Sequence, residues 1–248
     1  TCALPIYKSL FVSRGSAFGD ALIMSAVLRE LKNKYPSSKL YFNTMKCDNH
    51  AALLGYGEPD AEATAIFEMM DTPIDFDIFK SIDYHKIVAG IVEFDLEPDQ
   101  SNIYEVHFRI FGLDAPISSW RPINVVTNKC VDLAKTWIQE NKIEKPIILC
   151  NLEASSMVRF PSDEAVYRDL QAIYDEFCDK YAIVAVGGIN SLNLKIPNGV
   201  YRVFGENQKK AFGLLKFSKA MVCVDSAMSH VAAGMGKESP QVVSLWSS

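Results

Sequence analysis

The six cysteines of this 248-residue chain, Cys2, Cys47, Cys130, Cys150, Cys178 and Cys223, lie far apart, and no two form a CxxC pair. That spacing argues against a zinc site and against a secreted disulfide framework, and it fits reduced thiols used as small core residues. No apolar run approaches the ~20 residues that a membrane-spanning helix needs, and the first residues lack a basic segment followed by a long apolar one. A positive excess is missing too: 25 Lys and Arg stand against 30 Asp and Glu, a formal charge of −5, with no basic cluster beyond Lys209-Lys210. Nucleic-acid binding, which needs a concentrated positive surface, is set aside on that ground. The dinucleotide fingerprint GxGxxG and the nucleophile elbow GxSxG are also absent, which weighs against a nicotinamide-dependent oxidoreductase and against a serine hydrolase.

What the chain has is ordinary globular material, 49% hydrophobic, 22% charged and 11% aromatic. At roughly 150 residues per domain the length falls between one and two domains, and either count provides enough interior to fold without disulfides or a structural metal. The chain opens with Thr1 and closes on Ser247-Ser248 directly after a strand-like run, so one or both ends are expected to be missing.

Leu4 to Ser13 reads as a strand running into Arg14-Gly15-Ser16-Ala17-Phe18-Gly19-Asp20. From Ala21 to Tyr35 the apolar residues Ile23, Ala26, Val27, Leu31 and Tyr35 recur at helix spacing, and Pro36 with Ser37-Ser38 ends the run. Lys39 to Thr44 is a second strand, so the opening reads as the strand–helix–strand unit of a parallel sheet. Between Met45 and Pro122 the pattern is weaker, with a helix expected near Asn102 to Phe111. Ser118-Ser119-Trp120-Arg121-Pro122 favours neither helix nor ladder pairing and is taken as an interdomain linker. The expected domains are therefore 1–122 and 123–248.

A second series follows: a helix at Val131 to Asn141, and Pro146-Ile147-Ile148-Leu149-Cys150-Asn151 as a fully buried parallel strand. Then come a helix from Asp163 to Lys180, a strand from Tyr181 to Val186 ending at Gly187-Gly188, and a short helix from Ala211 to Ser218. Lys219 to Asp225 is a strand, a helix runs on from Ser226 to about Met235, and Gln241 to Trp246 is the last strand.

Two loops invite chemistry. The Arg14 to Asp20 loop joins a strand to a helix start, where free backbone N–H groups and the helix dipole favour an anion. Its plainer reading is a turn in which Gly15 and Gly19 supply positive φ and Asp20 caps the helix. At Asp225-Ser226-Ala227-Met228-Ser229-His230 a strand again meets a helix start, with an Asp/Ser N-cap as the plain reading and an anion site as the other. Ser, His and Asp crowd into one turn there, whereas a hydrolytic triad converges from separate loops. His50, His85 and His107 have no ligand-like spacing, and Trp120, Trp137 and Trp246 are read as packing residues.

Taken together, the run SRGSAFGDALIMSAVLRELKNKYPSSKLYF and the run FSKAMVCVDSAMSHVAAGMGKESPQVVSLW, about 190 residues apart, resemble the two signatures of glycosyltransferase family 9, the ADP-heptose:lipopolysaccharide heptosyltransferases. Weaker agreement lies at Asn151 to Pro161 and at Gly187-Gly188. The resemblance implies an α/β GT-B fold, two Rossmann-like parallel-sheet domains facing across a cleft, with the C-terminal domain expected to be incomplete in this chain. It implies an inverting, metal-independent transfer of a heptose-like sugar from a nucleotide diphosphate donor, an ADP-sugar, to a glycan or lipopolysaccharide-type acceptor. Asp20 takes the position of the general base, and Arg14, Gly15, Ser16 and Gly19 form the acceptor-side loop. Gly187, Gly188, Asp225, Ser226, Ala227, Ser229 and His230 fall on the donor side. No cofactor beyond the substrate nucleotide is implied, nor a nucleic-acid partner; the expected location is the cytoplasm, at most peripheral to the inner membrane surface. Three departures stand out: Ala26 where the family usually has Pro, Ala227 where it has Gly, and Val158 where it has a phosphate-facing Lys, with Arg159 adjacent as a substitute. A forked guanidinium is not equivalent to an ammonium, so the alternative is a catalytically impaired glycosyltransferase-like binding or assembly module.

Overall fold

The computed structural model describes residues 9–14, 18–37, 39–44, 53, 86–89, 103–114, 116–152, 162–205 and 208–245, and the chain divides into two compact units, Thr1–Ile123 and Asn124–Ser248. In the first, β1 (Ser9–Arg14) leads into α1 (Phe18–Lys34) and on to β2 (Lys39–Thr44). β1 is the middle strand, paired in parallel with β2 on one side and with β3 (Lys86–Ala89) on the other. Apart from Asp20 in its first turn, the charges of α1 lie in its second half as Arg29, Glu30, Lys32 and Lys34, and residues 21–28 are buried on every side. A helix with no solvated face over two turns is a core element rather than a surface one.

α1 also organises the end of its unit. Ser25 is buried; its hydroxyl donates to the Leu22 carbonyl (2.5 Å) and accepts from the Ile123 amide (3.0 Å). Arg29 Nη2 donates to the Arg121 carbonyl (2.8 Å), and Lys34 Nζ to the Gly112 carbonyl (2.9 Å). Trp120 packs against Phe108 of α2 (Ile103–Ile110), ring centroids 6.3 Å apart. The expectation that residues 118–122 favour no structure is thus corrected: Ile117–Trp120 form one turn of 3-10 helix, and the chain after it is strapped to α1. The straps are long-range side-chain bonds, which local propensity does not register.

The second unit is a five-stranded all-parallel sheet in the order β6-β5-β4-β7-β8. Its strands are β4 (Ile147–Asn151), β5 (Ala182–Gly187), β6 (Tyr201–Phe204), β7 (Ser218–Val224) and β8 (Gln241–Leu245). The helices are α3 (Asn128–Glu140), α4 (Asp163–Phe177), α5 (Gln208–Leu215) and α6 (Ala227–Gly234). Every residue of β4 is buried, as are Ala182–Val186 of β5, because a central parallel strand is covered on both faces and so reads as an unbroken apolar run. Ile148, Cys150, Ile183 and Ala185 share one face, packed with Val166 and Leu170 of α4. α4 begins at Ser162, whose hydroxyl accepts from the Ala165 amide (3.2 Å), followed by Asp163 and Glu164 in the first turn; both features favour a helix start. α5 lies directly on α3 at Gly213, where the lack of a side chain lets the helix press against the Cys130 carbonyl.

Cys130, Cys150 and Cys223 are buried free thiols and Cys178 is half-buried, in keeping with their reading as core residues; Cys2 and Cys47 lie outside the described residues. His107 is buried in α2, and Trp137 is buried edge-on against Tyr201. His50, His85 and Trp246 are outside the described residues.

Candidate functional site

A doubly wound sheet binds ligands outside the carboxyl ends of its strands, at the point where successive strands switch from one side to the other. In the second unit the chain builds β4, β5 and β6 in one direction, then returns to place β7 on the opposite side of β4. The switch therefore lies between the ends of β4 and β7, occupied by Asn151 and by Asp225-Ser226.

Asn151 is buried and both ends of its amide are bonded. Its Nδ2 donates to the Val186 carbonyl of β5 (3.1 Å), and its Oδ1 accepts from the Ser226 hydroxyl (2.6 Å). One side chain thus joins β5, β4 and the turn after β7. Ser226 holds the N-cap position of α6 in extended backbone, φ −153° and ψ 171°, yet its side chain makes no capping bond. The expected Asp/Ser cap is corrected here: the hydroxyl proton is committed to Asn151, and the first turn closes instead through the Ser229 amide to the Ser226 carbonyl (3.1 Å) and the Ser229 hydroxyl to the same carbonyl (2.6 Å). Ala227 opens the helix, and His230, half-buried, is its fourth residue. The polarised N–H groups of a helix start favour an anion, and here the Ser226 hydroxyl does not compete for them.

Beside this turn lie two thiols that the fold keeps protonated. Burial pushes Cys150 from the usual 9.0 up to about 12. Burial also raises Cys223, with the Asp225 carboxylate adding to the rise and a hydrogen bond to Ser244 opposing it. Neither is poised as a nucleophile, because the reactive form is the thiolate.

Gly187 ends β5, and Gly188 begins the turn that follows, a 3-10 helix over Ile189–Asn193. That turn is fastened to β6. The Gly205 amide lies 3.2 Å from the carbonyls of both Gly187 and Gly188, and Arg202 Nη2 donates to the carbonyls of Ser191 (3.3 Å), Leu192 and Leu194 (3.3 Å) while the guanidinium lies over the Phe204 ring.

In the first unit Arg14 is the last residue of β1, the strand flanked on both sides, and α1 starts at Phe18. Gly19 is accordingly the second residue of the helix, with no left-handed φ, and Asp20 is the third. This corrects two expectations: Gly19 does not make a positive-φ turn, and Asp20 lies within the first turn rather than capping it, because the helix begins at Phe18, three residues before the Ala21 start that its apolar spacing indicates. Asp20 is half-buried, and a carboxylate there interacts favourably with the helix dipole. Gly15, Ser16, Val158 and Arg159 lie outside the described residues.

Asn151, which the sequence marks only as the start of the weaker agreement at Asn151 to Pro161, joins the site in the structure. Its signal was a polar amide closing an otherwise wholly apolar strand, but its partner Ser226 is 75 residues away.

Two α/β units, each built on a parallel sheet, are the parts of the GT-B class of fold. Solved structures share it. A glycosyltransferase family 9 protein from Veillonella parvula superposes with a TM-score of 0.71 at 12% identity, over 96% of this chain and 81% of that one. The E. coli ADP-heptose lipopolysaccharide heptosyltransferase II gives 0.56 at 14% identity, over 97% and 86%. The heptosyltransferase TibC, described as dodecameric and iron-containing and in complex with ADP-D-beta-D-heptose, gives 0.66 at 11% identity, over 98% of this chain and 59% of its own length. This chain thus spans under two thirds of TibC. At such identities the likeness establishes the fold. No protein-family model and no curated protein sequence matches the chain.

Among the described residues no cluster of His, Cys, Asp and Glu could hold a metal ion, and no helix is long and apolar enough to cross a membrane.

Proposed function

We propose that this protein is a nucleotide-sugar glycosyltransferase that moves a heptose-like sugar, with inversion and without a metal, from a nucleotide diphosphate donor to a glycan or glycolipid acceptor. The observation that carries the reading is the turn at the sheet switch of the second unit, where Asp225-Ser226 leads into a helix whose N-cap side chain is engaged elsewhere. The charge that grows on a departing diphosphate calls for preorganised donors of this kind, and helix N–H groups with His230 would supply them. Arg159 would add the cation. The fold shared with an ADP-heptose-bound heptosyltransferase favours ADP as the nucleotide. Asp20 would act as general base, taking the proton of the acceptor hydroxyl as that oxygen attacks the anomeric carbon and the diphosphate leaves from the opposite face. The acceptor side would sit with Arg14, Gly15, Ser16 and Gly19, and a glycolipid acceptor would bring the protein to a membrane surface only peripherally.

Val158 and Ala227 favour the second reading, a binding or assembly module that keeps nucleotide affinity without turnover. Calorimetric ADP binding together with transfer or hydrolysis of an ADP-sugar, in wild type and Asp20→Ala, separates the two. Binding retained with turnover lost in the variant supports the enzyme; wild-type binding with no turnover supports the module; a wild type that neither binds nor turns over refutes both.

A further inference from the structure

We propose that Asn151 is the positioning residue of the donor site: by holding the Ser226 hydroxyl and the Val186 carbonyl at once, it sets the turn that receives the diphosphate. The inference rests on the nucleotide-sugar reading above and adds a residue that contacts no substrate itself. Its geometry is restrictive. The amide is buried at the end of β4, so its two bonds are made away from competing water. Donation to Val186 fixes the amide orientation, because Nδ2 must face β5. Oδ1 therefore faces β7, and only a donor can sit opposite it. Ser226 must then point its proton at Asn151, which fixes the backbone turn that leads into α6 and withdraws the hydroxyl from capping it. A side chain at this position without both a donor and an acceptor would leave the Ser226 turn untied from β4 and β5.

The experiment is calorimetric binding of ADP and of adenosine to the full chain, in wild type, Asn151→Ala, Ser226→Ala, Ser226→Thr and the Asn151→Ala/Ser226→Ala pair. ADP affinity is expected to fall about tenfold in Asn151→Ala and in Ser226→Ala, the size of one misaimed hydrogen bond to a charged group. Adenosine, which lacks the diphosphate, is expected to stay within about twofold, and Ser226→Thr, which keeps the hydroxyl, to retain ADP affinity. The double variant is expected to bind ADP no more weakly than Ser226→Ala, since both residues act through one bond. Unchanged ADP affinity in both alanine variants overturns the positioning role, and so does an equal loss for adenosine, which a purely structural defect would produce. If Asn151→Ala does not fold, the two Ser226 variants decide on the same criteria. A wild type that binds no ADP overturns the donor-site reading itself, and is thereby distinguished from failure of this inference alone.

Discussion

Replacing Gly213 by alanine tests how closely α3 and α5 are pressed together beneath the sheet. A methyl built on Gly213 falls 1.9 Å from the Cys130 carbonyl oxygen, 2.4 Å from its carbon and 3.0 Å from Ala134 Cβ. The two nearest atoms are backbone, so no rotamer change relieves the contact. Restoring a normal C···O separation of about 3.3 Å requires the helices to part by about 1.4 Å, across a contact where Cys130, Ala134, Ala211, Phe212 and Leu214 are all buried. Two terms oppose each other. Alanine is favoured over glycine in a helix interior by up to ~1 kcal/mol, whereas forcing extra volume into a packed interior costs ~1–3 kcal/mol and more when backbone must move. The clash wins, and Gly213→Ala is expected to lose about 2 kcal/mol of stability. Urea denaturation followed by circular dichroism measures this as a lower midpoint at unchanged slope. Gly188→Ala is the control, since a methyl there meets nothing within 4 Å, and it is expected to stay within about 0.5 kcal/mol of wild type. A Gly213→Ala protein as stable as wild type would refute the packing argument.

Two further outcomes follow from buried groups. Ser25→Ala removes the acceptor of the Ile123 amide and is expected to cost ~1–3 kcal/mol, the penalty of an unsatisfied buried donor, read as a lower thermal midpoint. Cys150 keeps its proton in the folded state up to about pH 12, whereas the unfolded thiol releases it near 9.0. The stabilisation is therefore fully present below pH 9 and is lost as pH rises toward 12, at up to about 1.4 kcal/mol per pH unit. Urea midpoints from pH 8 to 10.5 should fall less steeply in Cys150→Ala than in wild type, and a disulfide-exchange reagent at pH 8 should leave Cys150 untouched until the protein unfolds.

The parts of the fold that were legible in the sequence are those where local pattern and tertiary role coincide. Ile147–Asn151 is an apolar run because a central parallel strand is covered on both faces, and Lys39–Thr44 and Gln241–Leu245 alternate with helices as a doubly wound chain must. β6 escaped because it is a four-residue edge strand, Tyr201–Phe204, with a single fully buried side chain. β3, equally short at Lys86–Ala89, was lost among neighbouring apolar fragments. At the candidate site the Asp225-Ser226 turn was visible as a strand meeting a helix, but the direction of the Ser226 hydroxyl was not. That direction is set by an amide on another strand, and no window along the chain contains both. The same holds for the chain just after the 3-10 turn at Ile117–Trp120, where Ser25 and Arg29 on α1 bond Ile123 and Arg121.

The guanidinium of Arg202 gathers the carbonyls of Ser191, Leu192 and Leu194 while resting on Phe204. It ties the 3-10 turn beyond Gly188 to β6. A ligand that used that end of β5 would meet a turn already tied to β6, and less ordering entropy would be lost there on association. Discrimination between ligands at this turn would then come from fit to a fixed contour, and variants that loosen Arg202 would trade selectivity for adaptability.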